Sequence, residues 1–281
     1  IVHCSPLTTL SSLATCYSLL KEGTLVMLMP AEPPADVFRL DPGHAIPQLV
    51  EFIRREVSRS KRRGVVIGMS GGVDSSLVNV HAYLLPFRTS SHESLDHARL
   101  EIAKLGLPSQ TIDISPMADA LFRQIPGMNR RRMGNAMARL RMIVLYDQSE
   151  EHDALVIGTS NRTEMLLGYG TLHGDAAWAL GPIGHLYKSQ VRQLARYVGV
   201  DPAIISKAPT ADLWAGQTDE GEMGISYDLA DRVLYLLFDR KMAPADIVAL
   251  GYPPEAVDRV VEMVAASEFK RRMPPVAVLD R

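Results

Sequence analysis

The sequence predicts an α/β protein, a Rossmann-like, doubly wound parallel sheet with helices on both faces and a helical C-terminal extension. Three observations carry that prediction. Short apolar runs such as Gly64-Val65-Val66-Ile67-Gly68 and Ala154-Leu155-Val156-Ile157-Gly158 have the unbroken hydrophobicity of strands buried on both faces. Helical patterns lie between these runs, as crossover units on a parallel sheet require. Beyond Lys188 the strand signal stops and only helical patterns follow.

The elements follow in order. Residues 1–34 show no clean period and are set apart as an N-terminal segment of unassigned structure, with Pro30, Pro33 and Pro34 as the break and residues 35–281 as the main domain. A helix is expected from Pro47 to Ser60, with Leu49, Ile53 and Val57 on one face. The first strand is Gly64–Gly68. The helix after it has room only from Ser75 to Val80 before a second strand candidate at Tyr83-Leu84-Leu85. Ser91 to Leu105 forms the next helix: Ser91 starts it, Glu93 lies in its first turn and Gly106 follows its end. Thr111–Ile114 is the third strand, Asn135–Gln148 a longer helix and Ala154–Gly158 the fourth strand. Helices at Ser189–Val198, Tyr227–Phe238 and Glu255–Ala266 complete the chain.

Composition narrows the class. With 281 residues the chain can bury roughly 75% of the surface its unfolded form exposes, so it needs no disulfide or metal staple. A hydrophobic share of 47%, a charged share of 22% and a net charge of −2 argue against a disordered chain or a histone-like nucleic-acid binder. The run Arg59, Lys61, Arg62, Arg63 is a solvated helix end. Cys4 and Cys16 are the two cysteines, which excludes a disulfide scaffold, a zinc ribbon or a CxxC centre in the body of the protein. No run reaches the ~18 apolar residues that span a bilayer, and Lys21-Glu22-Gly23 interrupts the apolar N-terminal stretch. A cytoplasmic protein without membrane or nucleic-acid partners is expected.

In open parallel sheets, ligands bind beyond the carboxyl ends of the strands, which directs attention to the loops leaving Ile67 and Ile157. The first reads Gly68-Met69-Ser70-Gly71-Gly72-Val73-Asp74-Ser75-Ser76. Small residues let the backbone approach a ligand, and successive amides at a helix start form an anion nest. Asp74 beside bound phosphates makes sense when a divalent cation lies between them. A serine nucleophile elbow also fits Gly68-Met69-Ser70-Gly71-Gly72, but no HGGG-type segment precedes Ser70 and the last histidine is His185. A Walker A loop is excluded, because the chain contains no Gly-Lys pair.

The string Ser70-Gly71-Gly72-Val73-Asp74-Ser75 resembles the SGGxDS pyrophosphate loop of the ATP pyrophosphatases. Further segments resemble the NAD synthetases within that superfamily: Gly134-Asn135-Ala136-Met137-Ala138-Arg139-Leu140-Arg141-Met142, then Gly158-Thr159-Ser160-Asn161-Arg162-Thr163-Glu164, then Leu186-Tyr187-Lys188-Ser189-Gln190-Val191. The stretch from Thr210 through Asp219-Glu220 and the terminal Lys270-Arg271-Arg272 continue the match. The resemblance implies ATP-dependent amidation of deamido-NAD with ammonia, through an adenylated carboxylate, to NAD, AMP and pyrophosphate.

It also implies roles. Gly68, Met69, Ser70, Gly71, Gly72, Val73, Asp74 and Ser75 would cradle ATP, together with Thr159, Lys188 and Thr210. Asp74 and Glu164 would hold Mg²⁺. Arg139, Asp175 and Lys270 would address the dinucleotide, with Asp74, Lys188 and Asp175 as the catalytic set. Arg141 is read as structural. Leu172, Ala179 and Phe269 depart from the family's Lys, Asp and His on the dinucleotide side, and the segment after Ser76 is shorter than in relatives. Glutamine-using relatives carry an amidase domain with a catalytic cysteine; 63 residues precede Gly64 here, so free ammonia is the expected donor. Family members are homodimers, and a dimer is expected. Met133, Met137 and Met142 suit an apolar interface or core packing equally.

Overall fold

The computed structural model describes residues 37–69, 79–210, 213, 214 and 216–279, all within a compact unit that begins at Pro33. The expected N-terminal segment 1–34 and the loop positions Ser70, Gly71, Gly72, Val73, Asp74 and Ser75 lie outside the described residues.

Four parallel strands form the sheet: β1 (Gly64–Gly68), β2 (Asn79–Leu84), β3 (Ser109–Thr111) and β4 (Ala154–Val156), in spatial order β3-β2-β1-β4. Gly64 pairs with Asn79 on one side and Ala154 on the other. An isolated parallel bridge from Ile157 to Leu180 prolongs the β4 edge. Strand alternation splits β1 between two cores. Val65 and Ile67 pack with Val80, Ala82 and Leu84 beneath α1 (Pro42–Arg59) and α2 (His92–Leu105). Val66 faces the other way, toward Tyr83, Ile114, Val156 and the helices α3 (Ser115–Gln124) and α4 (Arg130–Glu151). The sheet is therefore covered on both faces, as its sequence requires.

Several boundaries differ from expectation, each for a local reason. α1 begins at Pro42, not Pro47, because Asp41 caps it through His44 N and Pro42 takes the N1 position. Asn79 and Val80 belong to β2, not to a preceding helix. β3 is assigned earlier than Thr111–Ile114, yet Ile112 N and Ile114 N still donate to Leu84 O and Pro86 O, so the pairing continues past its formal end. α4 starts at Arg130 because Asn129 accepts from Arg132 N. α2 matches its signals, with Ser91 as cap and Gly106 left-handed at φ 62°.

The remaining helices are α5 (Arg162–Leu167), α6 (Lys188–Tyr197), α7 (Pro202–Ser206), α8 (Asp219–Met223), α9 (Tyr227–Phe238), α10 (Pro244–Ala249) and α11 (Pro254–Ala266), followed by a 3₁₀ turn at Glu268–Arg271. Their core centres on α9, whose Tyr227, Ala230, Val233 and Leu234 are fully buried against Ile247, Val257, Val260 and Leu167. α9 thus packs under α5, the helix that leaves the carboxyl end of β4.

Candidate active site

A cleft of about 1070 Å³ opens at the carboxyl ends of the strands. Gly68 and Met69 from β1, Thr159 after β4, Glu164 on α5, Lys188 at the start of α6 and Thr210 all line it, with Asp175 and Lys270. Met69 N donates to Tyr83 O at 2.8 Å, which keeps the chain in the sheet up to the first residue of the glycine-rich loop. At Gly158 a Cβ atom would sit 2.3 Å from Trp178 Cγ, so only glycine lets the indole close the floor beside Thr159.

Glu164 and Lys188 form the charged centre. Asn161 caps α5 by accepting from Glu164 N, and Glu164 returns the bond from Asn161 N, a capping box that fixes the carboxylate at the cleft wall. Lys188 Nζ donates to Glu164 Oε1 at 2.9 Å, with both side chains only 20% and 16% exposed. A cation in the first turn of a helix opposes the macrodipole, so Lys188 is placed against local preference. Its compensation is the carboxylate and the Tyr227 ring, whose centroid lies 4.8 Å from Nζ. A carboxylate offers about four acceptor positions. Glu164 commits two, to Lys188 and Asn161, with Tyr227 Oη at 3.4 Å, and these oxygens suit a hard cation such as Mg²⁺.

Beneath this pair lies a network the sequence reading did not single out. Asp219, on α8, accepts from Tyr227 Oη at 2.9 Å, and the single Tyr169 phenol proton is shared between Asp219, at 3.0 Å, and Glu222, at 2.8 Å. Burial pushes the Asp219 carboxyl above the usual carboxylate range, against the pull of its two phenol donors. Burial likewise raises both phenols, so they act as donors at neutral pH. The Thr-Asp-Glu string at 218–220 carried the signal; the two tyrosines, distant in sequence, did not.

The dinucleotide-side residues converge on the loop 168–175. Lys270 Nζ donates to Gly168 O and Gly170 O, each at 2.8 Å, and burial lowers its pKa. Arg139 is exposed beside the cleft and donates through Nε and Nη2 to Leu172 O. Asp175 accepts from Thr171 N at 2.9 Å; it meets solvent through the cleft yet lies deep in the protein, and that depth raises its pKa. Arg141 donates to Leu85 O, in keeping with its structural reading. Of the positions that depart from the family pattern, Leu172 is half-buried while Ala179 and Phe269 are exposed.

A parallel sheet with an ion-paired Glu and Lys at its carboxyl edge, over a cleft this large, defines an α/β enzyme of the nucleotide-using kind. Residues 45–274 match the NAD synthase family, and the chain belongs to that family. It is 45% identical over 252 residues to the NH(3)-dependent NAD(+) synthetase of Chlorobaculum parvum, covering 86% of this chain and 91% of that protein. Among solved structures it is similar to the NMN synthetase of Francisella tularensis, at TM-score 0.77 and 32% identity, over 85% of this chain and all of the other. The NH3-dependent NAD synthetase of Campylobacter jejuni, in complex with nitrate, gives TM-score 0.72 at 32% identity, over 85% of this chain and 100% of that one.

Proposed function

We infer that this protein is a ligase that amidates the nicotinate carboxylate of deamido-NAD with ammonia, converting ATP to AMP and pyrophosphate. A carboxylate resists ammonia because it is anionic and its leaving group is oxide. Attack of a carboxylate oxygen on the α-phosphorus forms an acyl adenylate and releases pyrophosphate; ammonia then adds to the acyl carbon, loses a proton and expels AMP. The Glu164–Lys188 pair at the cleft, within a chain of this family, carries the reading.

In this reading Lys188 and Thr210 contact the ATP phosphates, Thr159 lies at the nucleotide's edge and the loop from Gly68 to Ser75 cradles the polyphosphate. Glu164 and Asp74 hold Mg²⁺, which when bound neutralises the polyphosphate charge. Lys188 exchanges its partner from Glu164 to phosphate as the anionic substrate arrives. Asp175 and Lys270 hold the loop 168–175 against the dinucleotide, and Arg139 supports that loop from outside.

Free ammonia is the donor, by analogy with relatives named NH(3)-dependent. A homodimer is proposed from the family resemblance, and Ile143 and Tyr146, exposed on α4 at 55% and 38%, are apolar side chains for such an interface to cover. Among the described residues no helix is long and apolar enough to cross a membrane, and the cytoplasm, where ATP is made available, is the proposed location.

The test is a coupled assay of NAD formation and pyrophosphate release with ATP, Mg²⁺, ammonium and deamido-NAD. Stoichiometric NAD and pyrophosphate, abolished by chelating Mg²⁺, are expected. Nicotinate mononucleotide is assayed alongside, because the Francisella relative bears the name NMN synthetase. Faster turnover of the mononucleotide would overturn the dinucleotide assignment, and release of pyrophosphate with neither acceptor would overturn the amidation itself.

A further inference from the structure

Resting on that reading, we propose that Asp231 is a positioning residue: from outside the cleft it locks the first turns of α5 and α6 together, and so sets the separation of Glu164 and Lys188. Asp231 is 1% exposed, in the middle of α9. A carboxylate so buried is costly unless each oxygen is matched to a donor. Here Oδ1 accepts from Thr163 Oγ1 at 2.5 Å and Oδ2 accepts from Ser189 N at 2.9 Å. Thr163 Oγ1 in turn accepts from Lys188 N at 3.0 Å.

The positions of these donors carry the argument. Thr163 immediately precedes Glu164, and Ser189 immediately follows Lys188. A helix leaves its first N–H groups without internal acceptors, and a preceding Ser, Thr, Asn or Asp side chain normally supplies one. α6 is preceded by Tyr187, whose phenol does not accept from the first turn. Lys188 N and Ser189 N are satisfied instead from α5 and α9. The acceptor that terminates the start of α6 is therefore also the one that fixes Thr163. Any slip of Asp231 moves the backbones that carry the cation and the carboxylate relative to one another.

The same face of α9 reinforces the arrangement one turn earlier. Tyr227 Oη lies 3.4 Å from Glu164 Oε1, and its ring lies under Lys188. Positions 227 and 231 are i and i+4, which stack on one side of a helix. Asp231 does not line the cleft and does not touch the reacting groups; it acts through Thr163 and Ser189.

The test compares wild type, Asp231→Asn, Thr163→Val and Thr163→Ser for thermal melting, kcat, and KM toward ATP, deamido-NAD and ammonium. Wild-type turnover in the same assay establishes the amidation reading independently. Asp231→Asn keeps the shape but leaves one acceptor oxygen where two donors, the Thr163 hydroxyl and Ser189 N, converge, and Thr163→Val removes the relay from the other side. Each is expected to lower kcat at least tenfold with KM for deamido-NAD within twofold, and Thr163→Ser to restore kcat. The double variant is expected to lose no more than the worse single one, since both break one chain. Melting points that fall while kcat stays within twofold of wild type would overturn the proposal, as would Thr163→Ser failing to restore kcat in a protein that folds.

Discussion

Lys188 and Glu164 meet at 2.9 Å from the first turns of two helices, α6 and α5, that both open at the carboxyl edge of the sheet. The two charges stand differently toward the fold: Glu164 caps α5 and suits its dipole, whereas Lys188 opposes the dipole of its own helix. A cation held in such a way is available to an anionic ligand. The pair is mostly withdrawn from solvent, so desolvation offsets much of its Coulombic gain in the fold, whereas its worth to bound phosphate is large.

Replacing Lys188 with Ala should therefore lower kcat by about 10²–10³, the usual cost of removing one group that stabilises developing charge, in a protein that still melts cooperatively. Glu164→Gln preserves the capping geometry but not the charge, and should raise the Mg²⁺ concentration needed for half-maximal rate. Full activity of Lys188→Ala at saturating ATP would remove Lys188 from the phosphate site.

Gly158 makes a steric prediction. A Cβ at this position meets Trp178 Cγ at 2.3 Å and Cδ1 at 2.4 Å, and the indole is itself packed on Gly181. Gly158→Ala should cost about 1–3 kcal/mol, the usual overpacking cost, and displace Thr159 from the cleft. Chemical denaturation measures this directly. Trp178→Ala in the same chain should recover part of the loss, since the two residues touch and their effects are not additive. A Gly158→Ala protein as stable as wild type would mean that the indole is not held here.

How much of this was legible beforehand depends on whether a signal was local. β1 was readable from its unbroken apolar run, the helix that begins at His92 from its serine cap and C-terminal glycine, and the helix that begins at Tyr227 from its apolar period. The start of α1 was placed at Pro47, where the apolar period becomes clear, while Asp41 and Pro42 form the true cap one turn earlier. α3 was not anticipated, since its sole apolar burial is Ala118 behind a Ser-Pro start. At the site, Glu164 and Lys188 stood out through motifs. Tyr169, Tyr227 and Asp231 did not, because burial and long-range pairing, not sequence spacing, give them their partners.

A pH prediction follows from His81. Its ring stacks on His152 at 3.7 Å with 9° between the planes, while His152 Nε2 and Tyr83 Oη lie 2.7 Å apart. Burial, then the charge of His152, lowers the His81 pKa below its usual value. The folded protein thus takes up a proton at His81 less readily than the unfolded chain, whose imidazole titrates near pH 6.5. The contribution to stability is complete above that pH and declines as pH falls below it toward the lowered folded value. Between pH 7 and pH 5 the melting temperature of wild type should fall further than that of His81→Gln. Parallel curves for the two proteins would sink this assignment.

The last prediction concerns Arg139, which the family pattern assigns to the dinucleotide. In this fold its guanidinium reaches Leu172 O through two nitrogens, at 3.3 and 3.1 Å, outside the cleft, while Lys270 holds Gly168 O and Gly170 O from the other side. The loop between Gly168 and Asp175 is thus gripped by two cations, and Asp175 is positioned at its end through Thr171 N. Loss of either grip loosens the same loop, so Arg139→Ala and Lys270→Ala should each raise KM for deamido-NAD while leaving KM for ATP within twofold. Arg139→Lys replaces a planar two-nitrogen contact by a point charge and should behave nearly as Ala. Direct contact with the dinucleotide's phosphates would instead let Lys restore most of the affinity, because an ammonium serves a phosphate well. Steady-state kinetics of these three variants therefore separates a hold on the loop from a hold on the substrate. A rise in KM for ATP with any of them would show that the loop belongs to the nucleotide half of the cleft.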